Sequence, residues 1–305
     1  MTQTDYQSVI DAATWAFIAR TAESYPDSTA TATIAEQRRI YDAMCASFHH
    51  GSPAGAAAQD HTIGGVPCRD YSGAWPTIVY LHGGGFVVGG LQSHDDVCAE
   101  ICAATGLRVV SVDYRLSPEN PHPAALNDVL AVTRALLAAG PVVLAGDSAG
   151  GNLAAATAHA LRADPGLRGL VLIYPGLGGD PHTGSYLTHA AAPMLSRDDV
   201  LYYMGVRQNA PSDPTASPLL DPDLTGLPPT VAFSAECDPL ADDTLHYCAR
   251  LTAAGVRAHR TLETGLVHGY LRARHSVPRA SASFARITTA LTALAAGDWP
   301  YGDAS

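Results

Sequence analysis

From residue 77 onward the chain alternates between two patterns. Short, nearly continuous apolar runs bounded by Gly, Pro or Asp occupy 77–81, 108–113, 141–145, 170–174, 230–234 and 257–262. Longer segments with apolar residues at helical spacing lie at 93–105, 124–139, 150–163 and 242–253, and a last one covers 281–296. Strands apolar on both faces and separated by helices indicate a mainly parallel, doubly wound α/β sheet covered on both sides. Residues 1–50 follow a different pattern and predict two amphipathic helices, with Trp15 and Ile18 on the first and Ile40, Tyr41, Met44 and Phe48 on the second. Residues 51–65, rich in Gly, Ala and polar residues, read as a linker. Some 55 residues separate Tyr174 from Thr230, far more than an ordinary connection between a strand and the next element, so something is inserted there. Within the insertion, 196–208 has the pattern of a helix carrying Val200, Leu201, Tyr203 and Met204. Ser-x-x-Asp at Ser93/Asp96 and at Ser196/Asp199 predicts two capped helix starts.

Composition narrows the possibilities. With 305 residues the chain can form one large domain or two small ones, and 47% hydrophobic against 15% charged residues excludes disorder and coiled coil. A net charge of −11 argues against nucleic acid and anionic membranes as partners and makes a neutral substrate a better fit than an anionic one. Six cysteines are too few for a disulfide scaffold, and none forms a CxxC pair. Cys98 and Cys102, four apart on a helical segment, lack the further ligands a metal would need and read as small buried hydrophobes. No secretory signal opens the chain and no apolar run reaches the ~20 residues of a spanning helix, so a cytoplasmic location is expected.

Three constellations carry chemistry. Gly146-Asp147-Ser148-Ala149-Gly150 lies between a strand and a helix, so Ser148 stands on a sharp turn, where small neighbours permit strained backbone and close packing. His82-Gly83-Gly84-Gly85-Phe86 directly follows the 77–81 strand, and its bare amides suit stabilisation of a developing oxyanion. Two of Gly83, Gly84 and Gly85, with the amide of Ala149, are the expected donors. Asp238 and His268 lie past the last two strands, and loops at the C-terminal ends of parallel strands open on one side of the sheet. Ser148, Asp238 and His268 therefore form a candidate nucleophile, acid and base in the order Ser, Asp, His. Glu236, Asp242 and Asp243 are rivals for Asp238, although the latter two suit the start of the next helix. No dinucleotide, Walker or HExxH motif is present, so no cofactor and no metal are expected.

Further boxes follow the same order: Asp113-Tyr114-Arg115-Leu116-Ser117-Pro118-Glu119, Pro123-Ala124-Ala125 and Asp238-Pro239-Leu240. With these the chain resembles the hormone-sensitive-lipase-like branch of the α/β-hydrolases, the bacterial HGGG/GDSAG carboxylesterases, from about residue 77 to the end. It departs from the family pattern at Ser117, Asn127 and Tyr270, none of them in the proposed triad. The resemblance implies an α/β-hydrolase fold with a helical cap, made of residues 1–50 and an insertion at about 180–225 on a catalytic body of 51–305. It also implies a serine esterase for short-acyl esters, monomeric or homodimeric. Arg115 to Glu119 reads as structural, and Asp147 and Glu119 receive no catalytic role. Tyr202, Tyr203, Met194 and Trp15 are candidate pocket walls, with packing of the cap on the body the favoured reading. A lactone, a carbamate or an acetylated sugar or drug remains open as substrate. So does a non-catalytic small-molecule receptor, against which His268 weighs.

Overall fold

The computed structural model describes residues 4–26, 29, 32–53, 56–210 and 212–302. Met1 to Gln3, on which the reading of the chain's opening partly rests, lie outside these, as do Ala54 and Gly55 of the expected linker. Eight strands form one sheet: β1 (Ala58–Ile63), β2 (Val66–Tyr71), β3 (Ala74–Leu81), β4 (Leu107–Val112), β5 (Val142–Asp147), β6 (Leu167–Ile173), β7 (Thr230–Cys237) and β8 (Ala258–Val267). Their order is β1-β2-β4-β3-β5-β6-β7-β8. β2 runs antiparallel to both β1 and β4, and all other neighbours are parallel.

The six apolar runs all become strands. The linker expected at 51–65 does not hold: 58–63 is β1, paired in register with β2 from Ala58/Tyr71 to Ile63/Val66. Because this edge strand is almost wholly exposed, it shows no apolar run. Its signal is Gly64-Gly65, both at positive φ, the two-residue loop that matches the twist of a β-hairpin. β8 runs on to Val267, so His268 follows the strand directly instead of standing within a longer loop.

Alternation along the central strands feeds two cores. Ile78 and Tyr80 of β3 and Val143 and Ala145 of β5 face one side, with Val97 and Ile101 of α4 (Asp95–Thr105) and Ile287, Leu291 and Leu294 of α10 (Pro278–Ala296). Val79, Leu81, Val142 and Leu144 face the other, against α5 (Ala124–Leu137), α6 (Ala149–Ala160) and α9 (Ala241–Ala253). Each such fully buried Leu or Val stabilises the fold by roughly 1.5–3 kcal/mol. Cys98 and Cys102 are buried free thiols in α4, and no metal-ligating cluster occurs among the described residues.

The N-terminal segment forms α1 (Tyr6–Val9), α2 (Ala12–Ala22) and α3 (Ile34–Ser47), one short helix more than expected. The insertion after β6 holds α7 (Ser185–Thr188) and α8 (Arg197–Arg207). The two segments touch: Gln37 Nε2 donates to Tyr202 Oη at 3.0 Å, and Tyr6 Oη and His189 Nδ1 are 3.1 Å apart. Arg38 of α3 is fastened to the body through Val87 O, Ser117 O and the Glu119 carboxylate. The capping box at Ser196/Asp199 forms as expected. The one at Ser93/Asp96 does not: α4 starts at Asp95, Ser93 Oγ bonds Gly90 and His94, and Asp96 turns inward to Arg274. No helix among the described residues is long and apolar enough to cross a membrane.

Arg274 joins the segment before α10 to α4, with Asp96 Oδ2 at 2.6 Å and both Glu100 oxygens at 2.7 Å, all in the interior. Arg274→Leu would strip Asp96 of its paired guanidinium and leave Glu100 with His275 alone. It should lower the unfolding free energy by about 3–5 kcal/mol, measured by chemical denaturation; a loss under 1 kcal/mol would show that water replaces the guanidinium.

Candidate active site

β5 ends at Asp147 and α6 begins at Ala149, which leaves Ser148 alone on the turn at φ 52°, ψ −117°. A residue with a Cβ occupies this region only when its surroundings impose it, at about 1–3 kcal/mol. Here the surroundings do so: Ser148 N donates to Ile173 O of β6 at 2.9 Å, and α6 presses on the end of β3. A Cβ on Gly150 would run into the Leu81 carbonyl, and one on Gly146 into the Gly150 backbone. The two glycines of the motif are thus the condition for the turn.

Ser148 Oγ lies 2.9 Å from His268 Nε2, and His268 Nδ1 lies 2.7 Å from Asp238 Oδ2. An anionic acceptor at Nδ1 requires the proton there, so Nε2 presents its lone pair to the Ser148 hydroxyl. Asp238 is fixed by the Leu240 amide on its other oxygen at 2.8 Å and is fully buried. The His268 ring is held edge-on by Tyr174, with centroids 4.9 Å apart. Asp238's rivals are engaged elsewhere. Glu236 accepts from Gly265 N at 2.7 Å, Asp242 from Ser185 N at 2.8 Å, and Asp243 from Leu177 N at 2.6 Å and Tyr186 Oη at 3.2 Å. Burial pushes the Asp243 carboxyl up to about 7, outweighing the amides of Leu177 and Gly179. The last two carboxylates thus tie the insertion to the start of α9.

Of the three glycines, Gly83 is withdrawn from the expected set, because its amide donates to Asp147 Oδ1 at 3.0 Å. Gly84, Gly85 and Ala149 line the cavity, and among the described residues their amides donate to no protein acceptor. Of the expected donors, these three keep their amides free. Asp147, given no role from sequence, also accepts from Tyr80 Oη at 2.8 Å and meets His94 Nε2 at 3.2 Å. Burial alone would raise its pKa; the His94 imidazole, Tyr80 and Arg272 outweigh burial and hold it well below the usual carboxylate range. Beneath the loop, His82 stacks on Tyr114 and its Nδ1–H donates to Gly83 O at 2.8 Å, while Nε2 is buried without a partner. Burial first, then the neighbouring His94, pushes its pKa down to about 3.

Ser148 and His268 open into a cavity of about 730 Å³, within the range that encloses a small ligand. Tyr202, Tyr203 and Met194 line it, which overturns the packing-only reading for these three; Trp15 does not, and packs on the core under α2 instead. The Tyr203 ring lies so close over Gly85 that a Cβ there would strike it. Arg207 and Arg272 also line the cavity and went unnoticed in the sequence, where an isolated arginine carries no signal.

A family model described as the alpha/beta hydrolase fold matches residues 78–272. Carboxylesterase NlhH of Mycobacterium tuberculosis is 40% identical over 232 residues, 71% of this chain and 73% of that one. Esterase LipI of the same species is 37% identical over 245 residues, 75% and 76% of the two chains. A solved esterase of the bacterial hormone-sensitive lipase family superposes with a TM-score of 0.83 at 30% identity, covering 96% of this chain and 99% of the other.

Two outcomes are expected. Asp147→Asn keeps the side chain's shape but not its charge, and should lower kcat roughly 10- to 100-fold with little change in KM, since oxyanion donors act in the transition state. Equal losses in both constants would instead mean general damage to the cavity. Below pH 6.5 the unfolded chain takes up a proton that the buried His82 ring refuses, so stability falls as pH drops toward 3. Between pH 7 and 5, His82→Phe should therefore lose about 2 kcal/mol less unfolding free energy than the wild type, read by chemical denaturation; identical losses would assign the acid sensitivity to other groups.

Proposed function

This chain belongs to the hormone-sensitive-lipase-like branch of the α/β-hydrolases and is a carboxylic ester hydrolase, and from that premise we propose that it cleaves small, short-acyl esters through an acyl-enzyme on Ser148. His268 Nε2 takes the Ser148 proton as Oγ attacks the ester carbonyl, while Asp238 holds the ring in the required tautomer and stabilises the imidazolium. The negative charge that develops on the carbonyl oxygen is met by the amides of Gly84, Gly85 and Ala149. The imidazolium then protonates the leaving alcohol. In the second half the same ring activates water, and the acid is released.

What supports this reading above all is the unbroken chain from Asp238 through His268 to Ser148, whose Oγ faces the cavity where the unspent amides lie. The reading of residues 1–50 and about 180–225 as one cap belongs to the proposal, supported by the Gln37–Tyr202 and Tyr6–His189 contacts above the site. A non-catalytic receptor would have no use for an imidazole aligned between Ser148 and Asp238.

Ser148→Ala and His268→Ala should each lower kcat by roughly 10³- to 10⁶-fold on p-nitrophenyl acetate. A serine-reactive phosphonate should add once to the wild type by intact mass and not to Ser148→Ala. Across p-nitrophenyl esters from acetate to palmitate, kcat/KM should peak at short chains. Near wild-type turnover by Ser148→Ala would refute the nucleophile, and a maximum at palmitate would refute the short-acyl preference.

A further inference from the structure

Three arginines among the described residues are more than nine-tenths buried: Arg207 (5% exposed), Arg272 (8%) and Arg274 (3%). Buried charges are ordinarily paired, because an uncompensated ion in the interior costs several kcal/mol. Arg274 has two carboxylates. Arg272 bonds Ser93 O at 2.8 Å and lies 3.4 Å from His94 Nε2, with the Asp147 carboxylate on the same imidazole nitrogen. Arg207, like Arg272, has no carboxylate oxygen within 4 Å of its guanidinium among the described residues, but the acid beyond its histidine, Asp213, is part-exposed, whereas the Asp147 carboxylate is buried.

Its partners are neutral. Nη1 donates to Ala216 O at 2.9 Å, Nη2 approaches Asn152 Oδ1 at 3.2 Å and His122 Nδ1 at 3.4 Å, and the guanidinium lies 3.7 Å over the Phe86 ring. Asp213 is reached only through His122, whose Nε2 it meets at 3.2 Å. A guanidinium carries five N–H donors, so three acceptors leave two of them unspent. Burial lowers its pKa only to about 10, and it keeps its charge at neutral pH.

The position of Arg207 indicates what the charge is for. It ends α8, facing Asn152, which lies one turn beyond Ser148 on α6, and Phe86, which follows the oxyanion glycines. Arg207, Asn152, Phe86 and Ser217 line one part of the cavity. Another part is apolar, from Ile18, Met44, Val97 and Leu271, which pack with the helices on the other face of the sheet. We infer that Arg207 is the recognition site for a carboxylate on the substrate, so that this hydrolase prefers esters carrying a carboxylate a few bonds from the scissile carbonyl. Such a substrate is a monoester of a small dicarboxylic acid or an acylated hydroxy acid, its apolar group turned toward Ile18 and Met44. The two donors left over sit on different edges, one on Nη1 and one on Nε, so a carboxylate takes a single charge-assisted N–H bond from one of them. The surface charge of −11 does not oppose this, since exposed charges are screened beyond about 8–10 Å at ordinary ionic strength. The neutral substrate expected from net charge thus yields, at this end of the cavity, to a local positive charge. The inference rests on the serine-esterase reading above.

Matched esters test it. Monoethyl succinate differs from ethyl butyrate by a carboxylate in place of a methyl on the acyl side, and 3-acetoxypropanoate differs from propyl acetate in the same way on the alcohol side. In at least one pair, wild-type kcat/KM should favour the carboxylate ester by about tenfold or more, and Arg207→Gln should reduce that ratio roughly 10- to 100-fold, with Arg207→Lys between. A merely structural Arg207 would lower both members of a pair together and leave the ratio unchanged, which would overturn the inference. So would a wild-type preference for the neutral ester in both pairs. Should Arg207→Gln not fold, succinate must inhibit the wild type competitively and more strongly than succinamide; equal inhibition sinks the inference. Phosphonate labelling keeps the two readings apart. A wild type that labels and turns over ethyl butyrate without carboxylate preference refutes this inference alone, whereas one that neither labels nor hydrolyses any ester refutes both.

Discussion

The buried carboxylate of Asp147 ties together the segments that make the site. It is joined covalently to Ser148, it fixes the Gly83 amide at the start of the three-glycine loop, and through His94 it reaches Arg272, four residues beyond His268. Three stretches far apart in the chain are thereby held to one ionised group. A carboxylate in such a place is expensive to desolvate, and it stays charged because Tyr80, Gly83 and His94 all turn donors toward it. The geometry around Ser148 depends on that balance being complete; removing one donor leaves a charge that the remaining ones must share.

Around this centre the molecule uses two kinds of fastening. Strands β3 to β8 are held by burial on both faces, which is insensitive to sequence detail so long as size and pattern persist. The helices above the site are held by discrete polar links: Arg38 to Val87, Ser117 and Glu119, and Tyr202 to Gln37. Arg38 is the more consequential, because it grips Val87, whose amide bonds Gly84 O at 3.0 Å. An N-terminal helix with little likeness to any recognisable motif is in this way part of the scaffold of the site.

What could be read from the chain alone followed from how local each signal is. The central strands were legible because their apolar runs report their own burial, and Ser148, Asp238 and His268 because each sits at a turn that follows such a run. β1 was missed because an edge strand buries almost nothing, and only the Gly64-Gly65 loop betrays it. Asp96 was misread as a cap because its partner, Arg274, lies 178 positions away and no window along the chain connects them. Asp147 and Arg207 escaped for the same reason: their meaning lies in what surrounds them in space. The choice among the three glycines was likewise undecidable until Gly83 was seen to spend its amide.

The ring of Tyr203 resting on Gly85 has a consequence for how this enzyme can change. On one side Gly85 lines the cavity that holds Ser148, and on the other it is closed by a side chain from α8, so no substitution at 85 is free of both. Variation in specificity is therefore displaced from the catalytic loop to the helix that covers it, where Tyr202, Tyr203 and Arg207 lie within six positions of each other. One short, polar-anchored helix can be rewritten without touching the sheet, which makes α8 the first segment to exchange in redesigning what the cavity accepts.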